Sequence, residues 1–206
     1  MLMLEEGAQI EAIDRAMKKK GMPVGPIALM DEVGIDVGAH VMSGDIAEVV
    51  KSRDGLVVSK GLLKMFDAGY LGKKNKKGYY KYDGKNGKRN GANPQAYQFF
   101  GNPPKKEFAF DEMTWRPLLL MINEAIMCLE EGILSTPTDG DTGAVFGLGF
   151  LPFTGGPFRF VDAYGINELV KLMEDYAKKF GPKFLPRPIL VTMAEKNLLF
   201  HTHKPD

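Results

Sequence analysis

The sequence predicts an all-α fold of two tandem helical repeats, and three observations predict it. An unusual phrase occurs twice: Gly25-Pro26 leads to Asp31 and Gly34-Ile35, and Gly156-Pro157 leads at the same spacing to Asp162 and Gly165-Ile166. Glu-Glu-Gly precedes each copy, at Glu5-Glu6-Gly7 and at Glu130-Glu131-Gly132, with an offset of 125 residues against 131 for the Gly-Pro phrase. Motifs in one shared order, separated by one small insertion, are the mark of a duplicated unit. Apolar residues recur at helical spacing around both phrases, and strand-like alternation is scarce throughout.

The elements follow in order. Copy one has only Met1 to Glu6 before Gly7, and subtracting the offset sets Met1 opposite Ile126. The chain is therefore expected to start inside a helix, as the C-terminal piece of something longer. Gln9 to Lys20 is a short helix with Ile10, Ile13 and Met17 on one side, closed by Gly21, and Lys18 to Lys20 suit the negative end of its dipole. Met22 to Pro26 is a bend that hands over to an apolar turn, Ile27 to Val33. A further helix is expected from an Asp36 cap to about Gly44. Leu56 to Gly69 reads as helical, with Leu62, Leu63 and Phe66 as core candidates. Gly72 to Tyr80 is a basic loop running into an aromatic segment. From Asp83 the chain is rich in Gly, Asn, Pro and Lys, which bury little, so 83–107 is expected to be a linker between domains at 1–82 and 108–206. In copy two, Thr114 is a candidate cap for a helix ending at Glu130, with Pro117 in its first turn, Leu118, Ile122, Ala125 and Leu129 in register, and Gly132 at the left-handed end. Asn167 to Phe180 carries Leu169, Met173, Tyr176 and Phe180 in register and stops at Gly181-Pro182.

Bulk properties exclude some functions. At 206 residues the chain can bury a real core. A net charge of +1 gives no general pull toward nucleic acid. No apolar run approaches the roughly 18 residues needed to cross a bilayer. The single cysteine, Cys128, rules out an internal disulfide framework and reads as a small apolar filler beside its helix stripe.

Few residues carry chemistry on their own. Lys73, Lys74, Lys76 and Lys77 read either as a phosphate-holding loop or as a plainly solvated one. His201-Thr202-His203 has chelating spacing but no third ligand, so no metal is expected. Asp31, Glu32 and Asp36 resemble a paired-carboxylate site in composition only. The recurrence of Asp31 and Asp162 beside a Gly-Pro bend better suits local hydrogen bonding. Gly147-Leu148-Gly149 begins a dinucleotide phrase without completing it. His40 stands alone.

These phrases resemble a known family. Met-Pro-Val-Gly-Pro at 22–26, Met-Asp-Glu-Val-Gly-Ile-Asp at 30–36 and Lys-Gly-Tyr-Tyr at 77–80 resemble the C-terminal domain of 3-hydroxyacyl-CoA dehydrogenase. Asn123-Glu124-Ala125, Ala144 to Phe150 and Gly155 to Asp162 resemble the multifunctional α-subunits of fatty-acid β-oxidation, the mitochondrial trifunctional kind above all. The resemblance implies an enzyme that oxidises L-3-hydroxyacyl-CoA with NAD, the nucleotide and a catalytic His–Glu pair being carried by a Rossmann domain that this sequence lacks. It implies no cofactor and no catalytic residue on this chain alone, Asn123 included. It implies Gly25, Pro26, Leu29 and Met30 as a wall of the acyl-CoA cleft, facing that cofactor domain. Implied partners are acyl-CoA, the Rossmann domain and either a second copy or other β-oxidation subunits, with nucleic acid excluded, and the implied location is the mitochondrial matrix. The alternative reading is a helical assembly module without substrate contact. Self-association is expected through Pro26 to Met30 and the flank of Met1 to Ile13.

Overall fold

The computed structural model describes residues 1–43, 47–49, 53, 59–84 and 87–201. The chain divides into two compact units, one of residues 1–19 and 24–113 and one of residues 20–23 and 114 onward. Helices dominate both, and the paired strands of the described residues form one two-stranded ladder.

The first unit contains α1 (Leu2–Glu5), α2 (Ile10–Lys20), α3 (Pro26–Val33), α4 (Ile35–Ser43) and α5 (Gly61–Asp67). An antiparallel pair, β1 (Tyr80–Tyr82) and β2 (Arg89–Ala92), follows, with Tyr80 opposite Ala92 and Tyr82 opposite Arg89. The core gathers Leu4, Ile10, Ile13, Ile27, Ile35 and Met65 around the fully buried ring of Tyr79. Residues 1–13 are not an open flank, because Met3, Leu4, Ala8, Ile10 and Ile13 are all buried here. The helix expected over Leu56 to Gly69 is present as α5, while 54–58 lie outside the described residues, as does Gly44. Leu62 and Met65 point inward, which turns Phe66 outward to 41 % exposure.

The stretch 83–107 is not bare linker. It holds β2 and a 3-10 turn, Pro94–Phe100, in which Ala96 and Phe100 are buried. Its anchors include the Tyr97 hydroxyl, which accepts the Ile10 N–H at 2.9 Å, the Asn93 side-chain amide, which donates to the Gly78 carbonyl at 3.0 Å, and Phe100, which meets Tyr79 at 6.0 Å between ring centres. A polar segment is thus held by a few fixed groups rather than by a continuous apolar face.

The second unit contains α6 (Phe110–Glu130) from Thr114 on, then α7 (Pro137–Leu148), α8 (Pro157–Tyr164), α9 (Ile166–Phe180) and α10 (Pro188–Glu195). Helix α6 begins four residues before its expected Thr114 cap, because Asp111 and Glu112 supply an acidic first turn; Thr114 is fully buried inside it and Pro117 lies in the helix interior. Helix α9 buries Ile166, Leu169, Met173 and Tyr176 at the spacing the sequence predicts. Phe158 and Phe200 pack edge to face at 4.9 Å.

Candidate functional site

The Gly25-Pro26 bend owes its shape to a carboxylate that sits on the preceding helix. Asp14 lies in the buried arc of α2, between Ile13 and Met17, and is 5 % exposed. Its two oxygens accept the N–H groups of Ile27 and Ala28 at 2.8 and 2.9 Å, so the free donors opening α3 are satisfied from a distance. The Tyr80 hydroxyl donates to the same carboxylate at 2.6 Å. Pro26, at the first helical position, gives up no useful donor there. Gly25 is required by space: a Cβ would run into the Asp14 carboxyl.

Gly25 and Pro26 thus form a capped corner, and Leu29 and Met30 follow on α3. Leu29 is exposed at 38 %, whereas Met30 is half-buried and packs against the core. Leu29 is continued outward by Val33 at 48 %, Val37 at 42 % and Val41 at 36 %. Leu29 and Val33 stand one turn apart on α3, and Val37 and Val41 one turn apart on α4 beyond the break at Gly34; these two exposed pairs, an apolar band in two segments, suit an apolar ligand chain or a protein face.

Asp31 points inward at the end of α3. Its carboxylate accepts the N–H groups of Tyr79 and Tyr80, both at 2.9 Å, and the Tyr82 hydroxyl at 3.0 Å. Burial holds its carboxyl above the ordinary carboxylate range, although those donors pull the other way. With no exposure and every partner structural, Asp31 is a clasp, not an acid–base group. Glu32 and Asp36 are occupied too, by Lys73 at 2.7 Å and Lys74 at 2.8 Å. The lysine hydrogen bond holds the Asp36 carboxyl below its ordinary range. The basic loop is accordingly neutralised at its first two lysines, and Lys76 turns back to the Gly84 carbonyl.

The second unit presents the same devices in the same order. Asp141, 3 % exposed on α7, accepts the Phe158 N–H at 2.8 Å and lies behind Gly156-Pro157 as Asp14 lies behind Gly25-Pro26. Burial raises its carboxyl. Gly156 has φ +123°, a conformation other residues resist, and a Cβ there would strike Asp141. Asp162 accepts the N–H groups of Phe200 and His201 at 2.8 and 2.9 Å, as Asp31 does for Tyr79 and Tyr80. The His201 ring lies between Asp162, 3.0 Å from Nδ1, and Asp141, 3.1 Å from Nε2; the second approach lies off the line of a hydrogen bond. Glu130 accepts from Arg187 and from the Ile189 N–H at the start of α10.

The remaining chemical candidates have structural places. Asn123 donates to the Leu185 carbonyl at 2.9 Å. Cys128 is half-buried and in no disulfide, its thiol 3.9 Å from the Glu124 carboxylate. His40 is exposed on α4, His201 is held as above, and His203 lies outside the described residues; among the described residues no cluster could hold a metal. Gly147-Leu148-Gly149 ends a helix, with Gly149 as its left-handed cap, where a dinucleotide needs a turn that opens one. These residues do not fit NAD. Sequence reasoning missed Asp14 and Asp141. The signal for Asp14 was present: Ile10, Ile13, Asp14 and Met17 share one helical stripe, and an acid in such a stripe is buried with donors to satisfy.

Comparison with known proteins adds a second line. The family model of the 3-hydroxyacyl-CoA dehydrogenase C-terminal domain matches residues 1–82 and 113–203. The fatty acid oxidation complex subunit alpha of Shewanella putrefaciens is 40% identical over 201 residues, 96% of this chain and 28% of that protein. That of Vibrio vulnificus is 41% identical over 192 residues, 93% of this chain and 26% of that protein. The chain thus spans little more than a quarter of the curated relatives it matches. In fold it is similar to the crystal structure of 3-hydroxybutyryl-CoA dehydrogenase from Escherichia coli K12, with a TM-score of 0.71 at 18% identity over 93% of this chain and 56% of that one. The dehydrogenase part of multifunctional enzyme 1 from C. elegans follows at 0.62, with 24% identity over 87% of this chain and 41% of that one.

Proposed function

The chain belongs to the family of 3-hydroxyacyl-CoA dehydrogenase C-terminal domains, and from that premise we propose that it is the helical region of an NAD-dependent L-3-hydroxyacyl-CoA dehydrogenase of fatty-acid β-oxidation, inactive alone. In this reading the two units are tandem copies. The first lines the acyl-CoA cleft with Gly25, Pro26, Leu29 and Met30, and the nucleotide and the proton-abstracting pair come from a Rossmann domain. The observation that carries it is the apolar band from Leu29 to Val41, held rigid at its start by the Asp14 cap. Exposed apolar side chains on a fixed helix favour an acyl chain over water. No helix of the described residues is long and apolar enough to cross a membrane. The two fatty acid oxidation complex subunits quoted above are bacterial, so the mitochondrial location expected from the resemblance has no support and forms no part of the proposal.

Two measurements test the reading. The purified chain, given NAD and 3-hydroxyacyl-CoA of several chain lengths, is expected to form no NADH above a matched blank; turnover proportional to protein would overturn the claim of inactivity. Leu29→Asp is expected to weaken binding of a long-chain acyl-CoA at least about tenfold while leaving helix content unchanged, since one buried apolar side chain is worth roughly 1.5–3 kcal/mol. Unchanged affinity would remove the band from the cleft. A second reading, assembly without substrate contact, is favoured by Ile133, Phe146, Leu148 and Phe153, exposed at 66, 87, 65 and 75 % in the second unit. Such side chains suit burial against another subunit.

A further inference from the structure

The lysines of the 72–78 loop are the obvious place to hold phosphate, yet the cations the fold leaves without a carboxylate partner are elsewhere. Helix α2 turns Glu11, Arg15 and Lys18 outward, one above the other, and Lys19 beside them. Strand β2 brings Arg89 to the same surface, its guanidinium 4.5 Å from the centre of the Tyr80 ring. Among the described residues no carboxylate lies within ion-pair distance of Arg15, Lys18 or Arg89, in contrast to Lys73 and Lys74.

Two cavities open side by side here, and Arg15 lines both. One, about 400 Å³, has Arg15, Lys18 and Arg89 on its walls and Tyr80 with Asp14 at its back. The other, about 430 Å³, has Arg15, Lys19 and Lys106 with the rings of Phe108 and Phe110. The acids nearby are largely engaged. Glu11 accepts the Ala92 N–H at 3.1 Å, and Asp14 is filled by three donors; Glu107, on the second cavity, is the remaining one. Two neighbouring groups of cations, joined through one arginine and flanked by aromatic rings, suit a ligand with two phosphorylated positions and a planar base.

We propose that this surface binds the phosphorylated nucleotide end of an acyl-CoA, an adenosine carrying phosphates at its 3′ and 5′ positions. The identity of the ligand rests on the dehydrogenase reading above; the site itself rests on the two cavities and on cations that face aromatic rings rather than carboxylates. The 5′ phosphates fall to Arg15, Lys18 and Arg89, beside the Asp14 cap of the cleft helix. The 3′ phosphate falls to Lys19 and Lys106, with the base against Phe108 and Phe110.

The test is calorimetric titration of the full chain with adenosine 3′,5′-bisphosphate at fixed ionic strength. Saturable binding is expected, weakened about tenfold or more in Arg15→Glu/Arg89→Glu and unchanged in Lys73→Glu/Lys74→Glu, with acyl-CoA competing. Circular dichroism on each variant guards against unfolding, and all four side chains are exposed enough to tolerate the change. Equal loss in both variants means diffuse charge attraction and overturns the site. Inorganic phosphate binding as tightly as the nucleotide overturns the nucleotide assignment. Tighter capture by phosphatidylglycerol vesicles, lost in the same arginine variant, assigns the surface to lipid headgroups and overturns it too. Leu29→Asp is expected to leave bisphosphate binding untouched, so failure of the apolar band and failure of this surface read out separately.

Discussion

Three donors converge on Asp14 and three on Asp31, and in each case a single carboxylate ties together parts of the chain far apart in sequence. Asp14→Ala leaves the Ile27 and Ala28 N–H groups and the Tyr80 hydroxyl without their acceptor. Each stranded buried donor costs about 1–3 kcal/mol, so the variant should lose about 3 kcal/mol or more by urea denaturation. Asp31 makes a prediction in pH. Its folded carboxyl titrates above the ordinary 3.8 because it is buried, so the folded state holds its proton more tightly than the unfolded state does. The resulting stabilisation is full below 3.8 and is lost as pH rises through the folded value. Asp36 has the opposite sign: its contribution is present above 3.8 and is lost as pH falls through its lowered value. Asp31→Asn should therefore flatten the fall of the urea midpoint on going upward from pH 3.8, while lowering stability overall, because one amide oxygen replaces two carboxylate oxygens among three donors. A slope equal to that of the parent chain would show that Asp31 does not titrate in this window.

Helices α3 and α8 are each eight residues long, open on Gly-Pro and close on a glycine with positive φ. Segments so short hold poorly by themselves, and most of their stability comes from what caps and packs them. Gly25→Ala should consequently cost more than the usual few tenths for a residue outside the helix, since its methyl displaces the Asp14 carboxyl from both N–H groups; a loss of about 2 kcal/mol in urea is expected. Gly156→Ala should cost at least as much, with positive-φ strain added to the same clash. If both variants match the parent chain, the capping account fails. At this scale the sequence was readable where signals were long or repeated. Helix α9 has four turns of one stripe, and the Gly-Pro, Asp and Gly-Ile phrases marked both bends. It was unreadable where one distant residue decides. The start of α6 depends on two acids upstream of Thr114, and the order in 83–107 depends on Asn93, Tyr97 and Phe100, which leave no periodic trace. The proposed substrate-facing residues were legible as a bend but not as a band, because Val33, Val37 and Val41 look like core residues until α3 is seen to turn the first outward and α4 the other two.

Among the described residues of the whole molecule, the most exposed large apolar side chains are Phe146 and Phe153, both in the second unit, while the first exposes Leu29, Val33, Val37 and Val41. A net charge of +1 offers little repulsion to keep copies apart. Light scattering over a concentration series should show association, and Phe146→Ser/Phe153→Ser should shift the chain toward monomer. A strictly monomeric mass at the highest concentration reached would count against the assembly reading. The paired clasps bear on how the chain is made. Asp31 waits for Tyr80, but Asp162 waits for His201, synthesised 121 residues later. At about 5–20 residues per second the ribosome needs roughly 6–24 s to cover that distance. In the later part of that interval, once residue 153 is made, a nascent chain carries one unit able to close and one that cannot, with Phe146 and Phe153 already present, so the newborn second unit is the natural client of whatever chaperone reaches it first.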